Sequence, residues 1–198
     1  MSHMNPGATV IGLIFKDGVM LAADKRFTYG GFITAKNVKK TFKISDKTGS
    51  ACAGLVSDMQ ELMKELTSLI KLKEIRSGKK TNVNAIAKLT SVVMYNRKMM
   101  PYLTQIAIGG FSKKPELYSL DPLGSVLPDD YVSLGTGAEI AIGVLELNYK
   151  KNMEKNDAKQ LIQRSLKAAM QRDTGSGDGI DLTIITKDEY TEETESFE

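Results

Sequence analysis

The order in which two kinds of hydrophobic period alternate along this chain limits its fold more than any other feature. The β-branched, apolar residues 9–15 are followed by Asp17-Gly18, a hairpin signal, and by a second apolar run at 19–23. Residues 40–44 and 50–55 repeat the arrangement around a turn at Asp46-Lys47-Thr48-Gly49. From Ser57 the spacing changes to three and four, through Met59, Leu62, Met63, Leu66, Leu69 and Ile70, with Ser57 or Asp58 as the expected N-cap and Gly78 as the stop. A second helix is expected after Thr81 or Asn82, turning Ile86, Leu89 and Val93 inward until Pro101 bars its extension. Strand patterns return at 103–108 and 116–120. After Gly135-Thr136-Gly137, a third helix is marked by Ile140, Ala141, Val144 and Leu145 and a fourth by Ala158, Leu161, Ile162 and Leu166, before a last strand at 180–186. This order does not fit a regular βαβ alternation. It predicts an α+β fold in which two antiparallel sheets pack together under a cover of helices.

Composition narrows the chemistry. At 198 residues one domain is the default. The 27 Lys and Arg against 24 Asp and Glu are spread along the chain, which gives no basis for a nucleic-acid partner. No apolar run approaches the ~20 residues of a membrane helix, so a soluble protein is expected. Cys52 is the single cysteine and His3 the single histidine. A cysteine framework, a multi-cysteine zinc site and any imidazole-dependent triad are therefore excluded, and catalysis must use hydroxyl, amine, lysine or carboxylate groups. Met1-Ser2-His3-Met4 reads as a vector-derived leader before a native start at Met4. Residues 187–198 hold six acidic side chains and little apolar material, and are expected to form a mobile or partner-contacting tail.

Taken together, Gly7-Ala8-Thr9, Asp17-Gly18, Asp24-Lys25-Arg26, Lys39-Lys40, Ala53-Gly54-Leu55-Val56, Gly135-Thr136-Gly137, Gly143-Val144-Leu145-Glu146 and residues 171–177 (Gln-Arg-Asp-Thr-Gly-Ser-Gly) resemble the proteasome β subunits of archaeal type, from Gly7 to about Ile185. Each fragment alone is weak, but their order and unbroken spacing are specific. The resemblance implies the four-layer αββα sandwich of the N-terminal nucleophile hydrolases. It also implies a division into a leader and short propeptide at 1–7, a β-type domain at 8–186 and the acidic tail. In that family a precursor cleaves itself after a glycine and exposes a threonine, whose hydroxyl attacks a peptide carbonyl while its own α-amine accepts the proton.

Carried over position by position, the resemblance puts propeptide cleavage after Gly7 and the nucleophile at Ala8. Lys40, paired with Asp24, would stabilise the alkoxide. Thr136, Asp173 and Ser176 would orient the α-amine and a water, and the Gly54 N–H would serve as oxyanion donor. Phe27, Val38, Cys52 and Val56 would line an apolar pocket for the substrate residue before the scissile bond. It implies no cofactor and no metal. Its implied partners are proteasome α subunits, other β subunits in a seven-membered ring, unfolded polypeptide substrates and, indirectly, a regulatory ATPase, all in the cytoplasm. Arg26 is expected to brace the site.

Two positions depart from the family pattern. Thr136 stands where serine is usual and keeps the hydroxyl. Ala8 offers neither a proton nor a lone pair, so the chain is expected to be inactive. The retained glycine and the otherwise complete site favour an engineered replacement over a naturally silent structural subunit, with a non-proteasomal amidase of the same superfamily as a weaker alternative. Thr9 is expected to face away from the site, since neighbouring strand residues point to opposite faces. Outside the family context, Lys39-Lys40 reads as a solvated pair, Cys52 as core, and Lys71, Lys73, Arg76, Lys79 and Lys80 as charges complementing a helix end. Residues 175–179 lack the lysine and following helix of a phosphate-binding loop, and are expected to form a mobile loop presenting Ser176.

Overall fold

The computed structural model describes residues 7–196. The proposed leader, Met1-Ser2-His3-Met4, lies outside the described residues. Strand β1 (Thr9–Phe15) turns through Asp17 into β2 (Gly18–Asp24), as the hairpin signal predicts. β2 pairs on its other side with β11 (Gly179–Thr186), and β1 with β10 (Tyr131–Gly135). β12 (Tyr190–Ser196) completes a five-stranded antiparallel sheet of order β10-β1-β2-β11-β12. A second sheet runs β5 (Thr41–Ser45), β6 (Thr48–Gly54), β7 (Thr104–Phe111), β8 (Pro115–Leu120) and β9 (Val126–Pro128), also antiparallel throughout. A short hairpin, β3 (Phe27–Tyr29) with β4 (Phe32–Ala35), stands apart from both sheets.

Three apolar layers hold the stack together. Between the sheets lie Val10, Val19, Leu21, Ala51, Ala107 and Ile185. Helices α1 (Val56–Ser77) and α2 (Val83–Asn96) cover the outer face of the second sheet through Met59, Leu62, Leu66, Ile86 and Met94. Helices α3 (Ala138–Asn148) and α4 (Lys155–Met170) cover the first sheet through Ala141, Leu145, Leu161, Ile162 and Leu166. The αββα sandwich is thus present as expected. Burying both faces of both sheets explains why β1 and β2 read as continuous apolar runs, without the alternation of a half-exposed strand.

Local differences have physical causes. Helix α1 starts at Val56 and takes Leu55, not Ser57 or Asp58, as its N-cap without a side-chain bond; Asp58 instead accepts the Leu103 N–H at 2.8 Å. Gly78 does end the helix, in the left-handed conformation at φ 64°. Asn82 caps α2, accepting the Ala85 N–H at 2.8 Å. Leu69 faces outward at 37% exposure, since the apolar stripe of α1 is narrower than its sequence spacing implied. Lys80, in the basic cluster, is held by Asp46 at 2.9 Å. Residues 190–196 are not a loose extension. Their acidic side chains sit on an edge strand whose backbone pairs with β11, and Lys39, Lys159 and Lys167 neutralise Glu192, Glu193 and Glu195. No helix is long and apolar enough to cross a membrane among the described residues.

Candidate active site

Two carboxylates organise the start of β1. Asp24, at the end of β2, has no exposed surface. Its Oδ1 accepts the Lys40 ammonium at 2.7 Å and the Thr9 backbone N–H at 2.9 Å, while Oδ2 accepts the N–H groups of Arg26 at 3.0 Å and Gly177 at 3.1 Å. Four donors on one carboxylate join β1, β2, the approach to β5 and the loop after α4. Lys40 is 1% exposed, and its carbonyl accepts the Cys52 N–H at 2.9 Å, which anchors the residue to β6. Burial pushes the Asp24 carboxyl up and the Lys40 ammonium down, and their mutual attraction opposes both shifts. An ammonium in such surroundings is a strong local positive charge that releases a proton more readily than a free lysine does.

The second carboxylate is Asp173, in the loop between α4 and β11. Its Oδ2 accepts the hydroxyls of Ser176 at 2.6 Å and Thr136 at 2.7 Å, and its Oδ1 accepts the Gly175 N–H at 3.1 Å. Thr136 Oγ1 in turn accepts the Ala8 N–H at 3.2 Å. The backbone nitrogen of residue 8 is therefore connected to Asp173 through one hydroxyl. Residue 8 itself is an alanine, buried in the layer between the sheets. Gly7 packs against Gly175 so closely that a Cβ on Gly7 would lie 2.2 Å from the Gly175 Cα.

The loop carrying Ser176 is pinned, contrary to the expected mobile loop. Arg26 donates to both oxygens of Asp178, at 2.8 and 3.3 Å, and to the Thr174 carbonyl at 3.2 Å. Its guanidinium lies where a side chain on Gly177 would go. Asp178 holds a left-handed φ of 67°, and Ser176 is completely buried. Arg26 thus braces the loop as the sequence indicated.

Gly54 closes β6 at φ 142°, and an added Cβ would lie 2.1 Å from the Leu103 carbonyl oxygen. Packing alone requires glycine here, whatever approaches its N–H. The expected pocket residues divide. Cys52 and Val56 belong to the apolar layer under α1, while Phe27 and Val38 are half-buried on β3 and just ahead of β5. Cys52 has no exposure, and burial pushes its thiol up to about 12.

The structure thus brings Ala8, Asp24, Lys40, Thr136, Asp173 and Ser176 into one connected assembly. It adds a residue that sequence reasoning set aside. Thr9 does point to the opposite face of β1 from Ala8, yet its hydroxyl lies 2.7 Å from Ser176 Oγ. Strand alternation gave the correct face but not the loop waiting on it. Among the described residues, no group of three or more His, Cys, Asp or Glu side chains is placed to hold a metal ion.

A family profile described as "Proteasome subunit" matches residues 4–185. The chain is 48% identical over 196 residues to "Proteasome subunit beta 1" of Nitrosopumilus maritimus (strain SCM1), covering 98% of this chain and 99% of that protein. It is 46% identical over 180 residues to "Proteasome subunit beta 1" of Cenarchaeum symbiosum (strain A), with 91% and 93% covered. To "Proteasome subunit beta 2" of Thermofilum pendens (strain DSM 2475 / Hrk 5) it is 44% identical over 190 residues, with 96% and 93% covered.

Proposed function

Because this chain belongs to the proteasome subunit family as a β-type member, we propose that it carries the frame of a threonine-type endopeptidase site, silent here because Ala8 stands at the nucleophile position. The observation that carries this reading is the convergence of both polar assemblies on two consecutive residues, 8 and 9, at the start of β1. The N–H of residue 8 meets Thr136 and, through it, Asp173; the next N–H along shares Asp24 Oδ1 with Lys40.

With threonine at position 8, the hydroxyl first attacks the Gly7 carbonyl carbon. The peptide nitrogen leaves as the α-amine, and water hydrolyses the resulting ester. In turnover, the hydroxyl proton passes to that amine as the Oγ–C bond to the substrate forms. The amine then gives the proton to the departing substrate nitrogen, and water releases the acyl group. Thr136 and Asp173 hold the amine, which has an ordinary pKa of about 7.7–8.0 and so accepts a proton near neutrality. The Lys40 ammonium lowers the energy of the developing alkoxide, and the Gly54 N–H faces the oxyanion. The half-buried apolar side chains of Phe27, Val38 and Val56 support a preference for hydrophobic residues before the cleaved bond, whereas Cys52, enclosed in the layer under α1, does not line the expected pocket. Family membership supports assembly with α subunits and with other β subunits in a seven-membered ring that admits unfolded chains.

The test is Ala8→Thr, co-assembled with α subunits and assayed on a hydrophobic fluorogenic peptide. Removal of the residues before position 8, together with turnover, is expected; an intact N-terminus and no turnover would end this reading. A second reading, a naturally silent structural subunit, draws on the Asp24 network itself, whose four bonds tie distant segments whether or not chemistry occurs. Under it, Ala8→Thr assembles normally but stays uncleaved.

A further inference from the structure

The Thr9 side chain has no part in the mechanism above, yet its hydroxyl is buried within the same assembly. A carboxylate only accepts, so the Ser176 hydroxyl spends its single proton on Asp173 Oδ2. The 2.7 Å contact between Thr9 Oγ1 and Ser176 Oγ must then be donated by Thr9. A directed chain results, from Thr9 to Ser176 to Asp173, with Thr136 donating to the same Asp173 oxygen from the other side. Thr9 and Ser176 are both 0% exposed, so solvent is kept from substituting for either partner. The space for this hydroxyl is specific, because a Cβ on Gly137 would lie 2.1 Å from Thr9 Oγ1. Gly137 therefore leaves room for one oxygen at the base of the chain.

We propose that Thr9 is a positioning residue for the candidate site, strengthening the bond from Ser176 to Asp173 and so holding the carboxylate in the orientation that meets Thr136 and, through it, the nitrogen of residue 8. This rests on the endopeptidase reading above. With the Thr9 hydroxyl gone, Ser176 Oγ loses its donor, and the bond that Ser176 donates to Asp173 weakens, because hydrogen bonds in a chain polarise one another. The carboxylate then keeps more of its charge for the neighbouring α-amine. That charge favours the ammonium form, which cannot accept a proton, so the acidic limb of the activity profile moves to higher pH.

The experiment compares Ala8→Thr with the double variants that add Thr9→Val or Thr9→Ser, each assembled with α subunits. Thr9→Val keeps the shape without the donor. It is expected to lower kcat about tenfold with KM unchanged, and to raise the acidic limb by roughly half a pH unit or more. Thr9→Ser restores both values, which a purely space-filling role would not do. If Thr9→Val does not assemble, Thr9→Cys supplies a weak donor of similar size and is expected to give an intermediate shift. Overlapping kcat and pH profiles for the assembled hydroxyl-free or thiol variant would overturn the proposal, as would equal loss in Thr9→Ser. An inactive Ala8→Thr parent would instead overturn the endopeptidase reading, and this proposal with it.

Discussion

Lys40 and Thr9 meet on a single atom, the Oδ1 of Asp24, to which one donates an ammonium N–H and the other a backbone N–H. A fully buried charge pair and the first bond of β1 are thereby the same structure. Removing the lysine leaves a carboxylate with only backbone donors and no counter-charge.

Lys40→Met is therefore expected to destabilise the fold by about 3–5 kcal/mol, the usual cost of stranding one partner of a buried pair. Adding Asp24→Asn should recover part of that loss, because the stranded charge is gone. Urea denaturation of the single and double variants measures it. A Lys40→Met midpoint matching the parent would show that the pair contributes nothing to folding.

Asp178 gives the pH dependence. The Arg26 guanidinium, bonded to both its oxygens, holds this carboxyl below the usual carboxylate range. A depressed folded-state pKa contributes stability that is fully present above the unfolded value, near 3.8, and is lost as pH falls through the lower folded value. Asn tolerates the left-handed backbone at this position, so Asp178→Asn removes charge without adding strain. The expected loss is about 1.5–3 kcal/mol at pH 7, and it is smaller at an acidic pH below the lowered folded value. Equal losses at both pH values in guanidinium melts would contradict the ionic origin.

Gly137 and Thr9 should be coupled. Gly137→Ala alone drives a methyl into the Thr9 hydroxyl, whereas with Thr9→Ala the closest remaining neighbours are Ala169 Cβ at 3.0 Å and Asp173 Oδ2 at 3.2 Å. The double variant is expected to be more stable than the sum of the single effects by at least about 1 kcal/mol. Additive thermal-denaturation results would mean that some other contact sets the cost.

Deleting residues 187–198 should damage the domain, since it strips β12 from β11 and takes the Thr194 hydroxyl from Asp181, which it reaches at 2.7 Å. A fall in Tm of roughly 5 °C or more is expected, with greater self-association through the bared β11 edge. Calorimetry and light scattering together check this; an unchanged Tm would return the segment to the status of a dispensable tail.

Much of the fold was legible because local signals were strong. Asp17-Gly18 marked the first hairpin, and residues 9–15 form β1 with those bounds. The apolar spacing of α4 named four residues that are all fully buried. The elements that went unread are short or lack an apolar face of their own. β9 has three residues, β3 and β4 have three and four, β10 has five, and β12 is acidic and half exposed. Such strands exist because a neighbour supplies the ladder of hydrogen bonds, and no window of sequence contains both partners.

The same division runs through the candidate site. Composition by itself closed imidazole chemistry to this chain, while the family resemblance singled out Asp24, Lys40 and Asp173 as the charged groups to watch and implied that position 8 is the nucleophile position, where this sequence has a methyl. Only the tertiary structure decided which oxygen of Asp24 each donor reaches, that the Ser176 loop is clamped by Arg26, and that Thr9 joins it from the far side of β1. Composition and period act along the chain. Hydrogen bonds between residues separated by 153 or 167 positions depend on how sheets and loops stack, and that stacking belongs to the whole packed molecule.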